Sequence, residues 1–334
     1  SVFHRKKRST VHYVHSNRKG DVMLKYVLKR LGYILVTLWV IVTCTFFMMK
    51  NLPGTPFDAE RFSIMTPQQQ ERVLEMYGLN DSLPMQYVKY IKNMLKGDLG
   101  TSFTYVNQDV SKVITGRLGP SALIGIQAVL IGLAIGLILG ILAAWKHNSG
   151  IDYFTMILAV LGVSVPNFVA AALLQYYIGL KWGALPVGFW TGWNCSVLPS
   201  IALSFSATAM VARFMRTEML DVLDQDYIVT ARAKGLSQMK VLMRHAVRNS
   251  ILPVVTILGP IVVNLMTGSL AVENIFSIPG IGSLFVDCIK ANDYPVIMGI
   301  TIFYAAFYML IVLLVDLAYS LIDPIIRLAK GKES

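Results

Sequence analysis

Charged residues are scarce in this sequence. Asp, Glu, Lys and Arg make up 15% of the 334 residues, whereas apolar residues make up 55%, and the mean hydropathy is +0.58. An ordinary soluble domain carries about 25% charged residues and a smaller apolar share. The composition therefore excludes an ordinary soluble domain and indicates an integral membrane protein.

The signatures of the common catalytic classes are also missing. The sequence contains no Gly-x-x-x-x-Gly-Lys-Ser/Thr phosphate loop, no His-Glu-x-x-His pair and no Gly-x-Ser-x-Gly turn. Its five histidines are scattered, and only three cysteines occur. We therefore predict no catalytic residue, no metal site, and no ATP or other cofactor bound by this chain itself.

The three cysteines are expected to be independent thiols. Cys44 lies in an apolar run, while Cys195 and Cys288 fall in segments that we place on the same side of the membrane. A disulfide between these two stays open, because the two loops could meet, but the spacing favours separate thiols.

Long apolar runs identify membrane spans, since each crossing needs about 20 mostly apolar residues with internally paired backbone. The fold class that they predict is an all-α integral membrane protein with six transmembrane helices. Pro166 predicts a kink in the third span, and Pro199 predicts an irregular or earlier start of the short fourth span. The predicted spans are Leu31–Met49, Ser121–Trp145, Tyr153–Leu180, Val197–Ala212, Ile251–Ala271 and Val296–Ile322.

A stripe of small residues runs along the second span. It consists of Gly125, Gly132, Gly136 and Gly140. Because small residues let helix backbones approach closely in a membrane, the stripe predicts a tightly packed neighbour helix.

The distribution of Lys and Arg predicts the orientation. Two thirds of these residues fall in the segments that become cytoplasmic when both termini are placed inside. The domains are then a basic cytoplasmic tail (1–30), a first transmembrane helix (31–50), an extracytoplasmic helical loop (51–118), a five-span core (119–322) containing a polar cytoplasmic segment (213–250), and a cytoplasmic tail (323–334). Much of the net charge of +11 lies in the first tail, where anionic lipid attracts basic residues, so no nucleic acid is needed to explain it.

The segment from Asp224 to about Pro253 is the most informative polar stretch. Asp224 or Asp226 can cap a short helix that runs to about Lys234, Gly235 can take the left-handed conformation that ends it, and Ser237 can cap the next helix. Spacing alone leaves an ordinary solvated loop equally open.

The same segment resembles the coupling segment of ABC-importer permeases in the form found in the oligopeptide and dipeptide branch. Two further motifs resemble the external loop of the "B"-type permease of that branch: Leu52-Pro53-Gly54-Thr55-Pro56 and Lys96-Gly97-Asp98-Leu99-Gly100-Thr101-Ser102. Phe276-Ser277-Ile278-Pro279-Gly280, followed by Asp293-Tyr294-Pro295, resembles the last external loop of the family. The resemblance covers about residues 23 to 328. Val229 and Thr230 depart from the general importer motif, which has Glu-Ala there, and Ile325 replaces a usual arginine.

The resemblance implies a transport subunit rather than an enzyme, placed in the bacterial cytoplasmic membrane. Its implied partners are a second, "C"-type permease, two cytoplasmic ATPase subunits that bind ATP and Mg, and an extracytoplasmic peptide-binding protein. Substrate-binding residues cannot be assigned. The residues implied in ATPase coupling are Asp226, Tyr227, Ala231, Arg232, Lys234, Gly235 and Arg248.

Polar residues inside spans are candidates for a pathway or gate. Asn264 in the fifth span and Asp316 in the sixth are the two that we single out. A structural ion pair near the membrane boundary is the favoured interpretation of Asp316. An autonomous channel or secondary transporter is the alternative function, although the charged residues inside the spans are few for such a protein.

Overall fold

The computed structural model describes residues 28–51, 62, 64–76, 79–105, 108–267 and 270–322. The regular secondary structure in these ranges is helical, and the only β-pairing they contain is an isolated bridge between Thr101 and Asp109. The prediction of an all-α membrane protein is confirmed.

The helices follow one another with short connections. The first three are α1 (Leu28–Lys50), α2 (Pro67–Met76) and α3 (Leu83–Met94). They are followed by α4 (Val110–Trp145), α5 (Gly150–Ser164), α6 (Asn167–Leu174, continued by a π-helical turn Gln175–Lys181), α7 (Val197–Leu223) and α8 (Asp226–Ala233). The last five are α9 (Gln238–Val241, continued by a π-helical turn Leu242–Val247), α10 (Arg248–Thr267), α11 (Leu270–Ile275), α12 (Ile281–Lys290) and α13 (Tyr294–Ile322).

Five of the six predicted spans appear as helices that are long and apolar enough to cross a membrane. They are Leu28–Lys50, Val110–Trp145, Trp193–Leu223, Gln238–Leu265 and Tyr294–Val315. The remaining predicted span, third in chain order, is a bent pair of helices that is long and apolar enough for a membrane only when the two are taken together.

The prediction of one kinked helix over Tyr153–Leu180 is wrong. α5 and α6 meet at an angle of 101°, with the break at Val165 and Pro166. Pro166 has no amide hydrogen to continue the helix, and Val165 takes an extended conformation (φ −80°, ψ 118°), which is what proline favours in the residue before it. The proline therefore separates two helices.

The fourth span is longer than predicted, mostly at its C-terminal end. A 3₁₀ turn at Trp193–Ser196 leads into α7, which passes Ala212 and continues to Leu223. Pro199 lies in the first turn of α7, where a missing N–H costs no intrahelical hydrogen bond. Counting only the charge-free run missed the charged last turns of this helix.

The segment between the first two spans contains short helices, which agrees with the helical loop predicted over 51–118. α2 begins at Pro67, and α3 runs from Leu83 to Met94. α3 packs on the end of α1, where the hydroxyls of Thr43 and Tyr87 are hydrogen-bonded at 2.7 Å.

α4 and α7 pack closely through the predicted glycine stripe. A Cβ built on Gly132 would lie 2.7 Å from Cβ of Ala207, and one on Gly140 would lie 2.6 Å from the carbonyl oxygen of Ala212. Real Cβ atoms do not approach other atoms so closely. The stripe is therefore the contact surface for α7, whose own side chains Leu203, Met215 and others fill the main core cluster.

Two buried carboxylates connect the segments on either side of α12 to other parts of the protein by hydrogen bonds. Asp293, at the start of α13, accepts hydrogen bonds from the hydroxyl of Ser102 and from the backbone N–H of Thr104 (3.0 Å). Glu273 in α11 accepts hydrogen bonds from the hydroxyl of Ser121 (2.7 Å) and from the backbone N–H of Ser283 (3.0 Å). Both carboxylates are fully buried, so these hydrogen bonds compensate for the water that each has lost.

The three cysteines are free thiols, as the spacing favoured. Burial, together with the nearby Asp293 and Asp287, raises the pKa of the Cys288 thiol to about 12. That thiol is therefore protonated and unreactive at neutral pH.

Gly136→Ala should destabilise the protein, because the new Cβ would lie 2.7 Å from Cβ of Val211 and 2.9 Å from the carbonyl oxygen of Thr208. Overpacking of this kind costs about 1–3 kcal/mol. The thermal midpoint of the purified membrane protein measures the effect. Gly116→Ala on the same helix is the control, since no atom lies within 4 Å of a Cβ built there. Equal midpoints for the two variants would contradict the close approach of α4 and α7.

Candidate functional site

The polar segment between α7 and α10 folds into an elbow, which we define as residues 224–247: α8, a glycine turn, α9 and the π-helical turn that follows. Its first helix begins differently from the prediction. Gln225 occupies the N-cap position in extended conformation, Asp224 still has helical angles and closes α7, and Asp226 is already the first residue of α8. The Asp226 carboxylate therefore lies where the positive end of the helix dipole favours it.

The turn of the elbow forms as predicted. Gly235 has φ +77°, in the left-handed region, and a Cβ built on it would meet no atom within 4 Å. The amide of Gly235 donates to the carbonyl of Arg232 (2.9 Å), and the amide of Leu236 donates to that of Ala231 (3.4 Å). This pair of hydrogen bonds is the Schellman pattern that ends many helices. Glycine is needed here for the handedness of the backbone and not for lack of space.

The second helix starts at the predicted residue. Ser237 occupies the N-cap position of α9 with φ −60° and ψ 147°, and its carbonyl accepts a hydrogen bond from the amide of Val241 (3.0 Å). Its side chain makes no capping hydrogen bond. The conformation of Ser237, and not its hydroxyl, marks the helix start.

The inner face of the elbow rests on the end of α7. Ile228 is fully buried, and with Ala231 and Val241 it forms a small apolar cluster that packs against Val222 and Leu223. Ala231 is thus a packing residue. Burial of these side chains fixes the two short helices to the membrane-spanning part, although each is too short to be stable alone.

A side-chain hydrogen bond joins the elbow to the helix that follows it. The amide nitrogen of Asn249 donates to the hydroxyl of Tyr227 at 3.0 Å. Tyr227 lies in α8 and Asn249 in α10, so this contact ties the first helix of the elbow to the start of the fifth span.

The outer face of the elbow is basic and contains exposed apolar side chains. Val229, Met239 and Met243 are each more than half exposed. None of the basic side chains of this face forms an ion pair with an acidic group in the described part of the chain. These basic residues are the predicted Arg232 and Lys234, together with Lys240 and Arg244, which the sequence analysis did not single out, and the predicted Arg248 is exposed directly after the elbow, at the start of α10. A surface of this composition suits an acidic protein partner.

The predicted pathway residues stay predictions. Asn264 is exposed on α10, as a pathway residue would be. Asp316 belongs to α13, but its side chain lies outside the described residues, as does the predicted tail 323–334.

Family models decide what kind of protein this is. Residues 136–328 match the model described as "Binding-protein-dependent transport system inner membrane component", and residues 23–120 match the N-terminal model of such membrane components. The chain belongs to this family. The first match contains the whole elbow, and the second contains α1, α2 and α3.

Individual relatives agree with the family model. The chain is 46% identical over 306 residues to the dipeptide transport system permease protein DppB of Lactococcus lactis subsp. cremoris, a match that covers 92% of this chain and 100% of the relative. It is 43% identical to DppB of Bacillus subtilis, covering 92% and 99%. It is 39% identical to the oligopeptide transport system permease protein OppB of Salmonella typhimurium, covering 91% and 100%.

The resemblance stated from the motifs is thereby confirmed. The family consists of membrane components of transport systems, so this chain is a transport component of the membrane and no enzymatic activity is indicated for it. The elbow lies in that context between the helices Trp193–Leu223 and Gln238–Leu265, within the residues that the first family model matches.

Ile228→Ala should loosen the elbow, because it empties a fully buried position in a small cluster. Truncations of this kind cost about 2–5 kcal/mol. Hydrogen exchange of the amides in 226–247 of the purified membrane protein should become faster. Val229→Ala, the adjacent β-branched residue that is 59% exposed, is the matched control and should leave exchange unchanged. Unchanged exchange in Ile228→Ala would show that the elbow is not held by this cluster.

Proposed function

We propose that this family member is the "B"-type permease subunit of an ATP-driven importer of oligopeptides or dipeptides. The single observation that carries the proposal is the likeness along 91–92% of the chain to permeases whose names state dipeptide or oligopeptide transport. The elbow supports it, because an exposed basic surface held rigidly between two spans is what a permease needs to receive force from a separate motor subunit.

The proposed assembly has four kinds of subunit. This chain pairs with a "C"-type permease to enclose the pathway, two cytoplasmic ATPase subunits bind ATP and Mg, and an extracytoplasmic binding protein delivers the peptide. Both termini and the elbow face the cytoplasm of a bacterial cell, as the Lys and Arg distribution predicts. The chain itself requires no cofactor in this scheme.

The proposed mechanism is alternating access. When ATP closes the ATPase pair, the elbow moves with the ATPase to which it is bound, and the attached α7 and α10 pass the displacement to the spans. The differential contact that drives the change is the one between the elbow and an ATPase cleft, since a conformational change requires contacts that differ between the two states.

The residues proposed for ATPase coupling divide into two roles. Asp226, Tyr227, Ala231 and Gly235 shape the elbow, by their positions at the helix start, in the hydrogen bond to Asn249, in the apolar cluster and in the left-handed turn. Arg232, Lys234 and Arg248 are exposed and contact acidic groups of the ATPase. Asn264 and Asp316 contribute to the pathway or its gate.

Gly235→Val should uncouple peptide uptake from ATP hydrolysis. A β-branched residue is strongly disfavoured at φ +77°, so the turn would change shape while the spans remain intact. Uptake and hydrolysis are measured in the same reconstituted complex. Gly183→Val is the matched control, because Gly183 also has a left-handed φ (+63°) with no atom within 4 Å of a built Cβ, but lies outside the elbow. Normal uptake by the Gly235→Val complex would refute the role of this turn.

Purification of the native complex tests the proposal as a whole. Mass spectrometry should identify a second permease and two ATPase polypeptides, and proteoliposomes with the full complex should take up peptide only when ATP and Mg are supplied. Proteoliposomes that contain this chain alone should show no flux. Solute flux through the chain alone would instead support an autonomous channel or secondary transporter.

A further inference from the structure

An ion pair between a buried carboxylate and a partly buried guanidinium joins the turn between α4 and α5 to α7, the helix that leads into the elbow. Asp152, in the first turn of α5, is 2% exposed. Its Oδ1 accepts a hydrogen bond from Nε–H of Arg216 (2.5 Å), and its Oδ2 accepts one from Nη2–H of the same guanidinium (2.8 Å). Two parallel bonds of this kind fix the relative position of both side chains far better than a single contact.

The carboxylate of Asp152 also closes the turn in which it lies. Its Oδ2 accepts a hydrogen bond from the amide of Asn148 (3.0 Å) and lies 3.1 Å from Nδ1 of His147. Asn148 has φ +58°, a left-handed conformation that asparagine tolerates. Arg216 is therefore attached to the whole turn 147–152, and not to one flexible side chain.

The position of Arg216 connects this turn to the elbow. It lies about two helical turns before Leu223, the last residue of α7. Leu223 and Val222 are the residues on which Ile228 of the elbow packs. The helix that supports the elbow is thus the helix to which the turn is fastened.

Away from the ion pair, α4 and α5 both pack closely against α7. A Cβ built on Gly140 of α4 would lie 2.8 Å from Cβ of Met215 in α7, and one built on Gly162 of α5 would lie 2.9 Å from Cβ of Ala209 in α7. α5 therefore touches α7 at Gly162 and again, on the side of the elbow, at Asp152. Of these contacts, the ion pair is the one nearest the elbow.

We propose that Asp152 and Arg216 are positioning residues for coupling: their ion pair makes α5 follow α7 when the elbow moves, so that α4, α5 and α7 move as one body. The inference rests on the proposed coupling role of the elbow. Neither residue touches peptide or ATP in this scheme. Without the pair, α7 moves with the elbow but the start of α5 does not follow it. Part of the displacement that the ATPase produces is then not passed to α5 and α6.

Uptake and hydrolysis in the assembled complex give the first measurement. Asp152→Asn should lower peptide uptake per ATP hydrolysed roughly tenfold, a typical size for a coupling factor, while hydrolysis continues. Asp221→Asn, the same chemical change at an exposed site on α7, is the matched control and should leave the ratio unchanged. A normal ratio in Asp152→Asn overturns the proposal.

A paired variant covers the risk that Asp152→Asn, which leaves a partly buried guanidinium without its carboxylate, fails to assemble. Asp152→Leu combined with Arg216→Met replaces the pair by apolar side chains, a change that often leaves stability intact. This complex should assemble and show the same loss of uptake per ATP. A normal ratio in the paired variant likewise overturns the proposal.

Distances between spin labels separate a coupling role from a merely structural one. Labels on Ile157→Cys in α5 and Thr217→Cys in α7 use exposed sites outside the elbow, with Cys44 replaced by alanine. Between the ATP-free and ATP-trapped states the distance should stay constant in the otherwise unchanged complex and shift by about 2 Å or more in the paired variant. A shift in the unchanged complex, or none in the variant, overturns the proposal.

The outcomes also distinguish this inference from the proposed function. If the unchanged complex shows no ATP-driven uptake, the proposed function itself fails. If the unchanged complex is ATP-driven but the loss of the pair changes neither the ratio nor the distance, the proposed function stands and the ion pair has no part in it.

Discussion

The close approach of α4 and α7 is the constraint on which the other elements depend. Gly132, Gly136 and Gly140 leave no room for a Cβ against α7, so the two backbones lie in direct contact over several turns. In a membrane, where lipid tails are as apolar as leucine, such tight van der Waals packing is a main source of helix association. α7 is thereby a fixed reference within the protein, and α5, α10 and the elbow are all attached to it.

This arrangement explains how a small polar elbow can matter to a large apolar protein. Its two helices are too short to persist alone, but Ile228, Ala231 and Val241 bury against the end of α7, and Tyr227 bonds to the start of α10. The elbow is therefore a rigid extension of two spans at once. A force applied to its exposed basic face acts on both spans, since none of the intervening backbone is a long loop.

Local chemistry made part of this predictable from the sequence. Gly235 and Ser237 were identified because a left-handed residue and an extended residue are needed between two helices, and the glycine stripe was identified because its residues recur on one helix face. The N-cap of α8 was misassigned because Asp224 and Asp226 are both good capping residues. Gln225, which lies between them, is the N-cap because Asp224 closes α7, and the sequence does not show where α7 ends. Whether Pro166 kinks one helix or separates two depends on the helices against which the chain packs after the proline, and the local sequence does not show these.

The pairing of Asp152 with Arg216 was beyond sequence reasoning for a different reason. The two residues are far apart along the chain, and each alone looks like a boundary charge at the end of a span. Only the packing of α5 on α7 brings them together. The roles of Asn264 and Asp316 stay predictions, because their importance depends on partner subunits that enclose the pathway.

The buried Asp293 has a consequence for building hybrid transporters. Its carboxylate holds Ser102 and the backbone beside it, which belong to the segment between the first two spans, onto the start of the final span. If that segment were exchanged between related permeases, Ser102 would be replaced by a residue of the donor while Asp293, its hydrogen-bond acceptor, would remain from the recipient. Hybrids should consequently retain a hydroxyl at position 102, or else carry the 293 region along with the donated piece, so that the dehydrated carboxylate does not lose its side-chain donor.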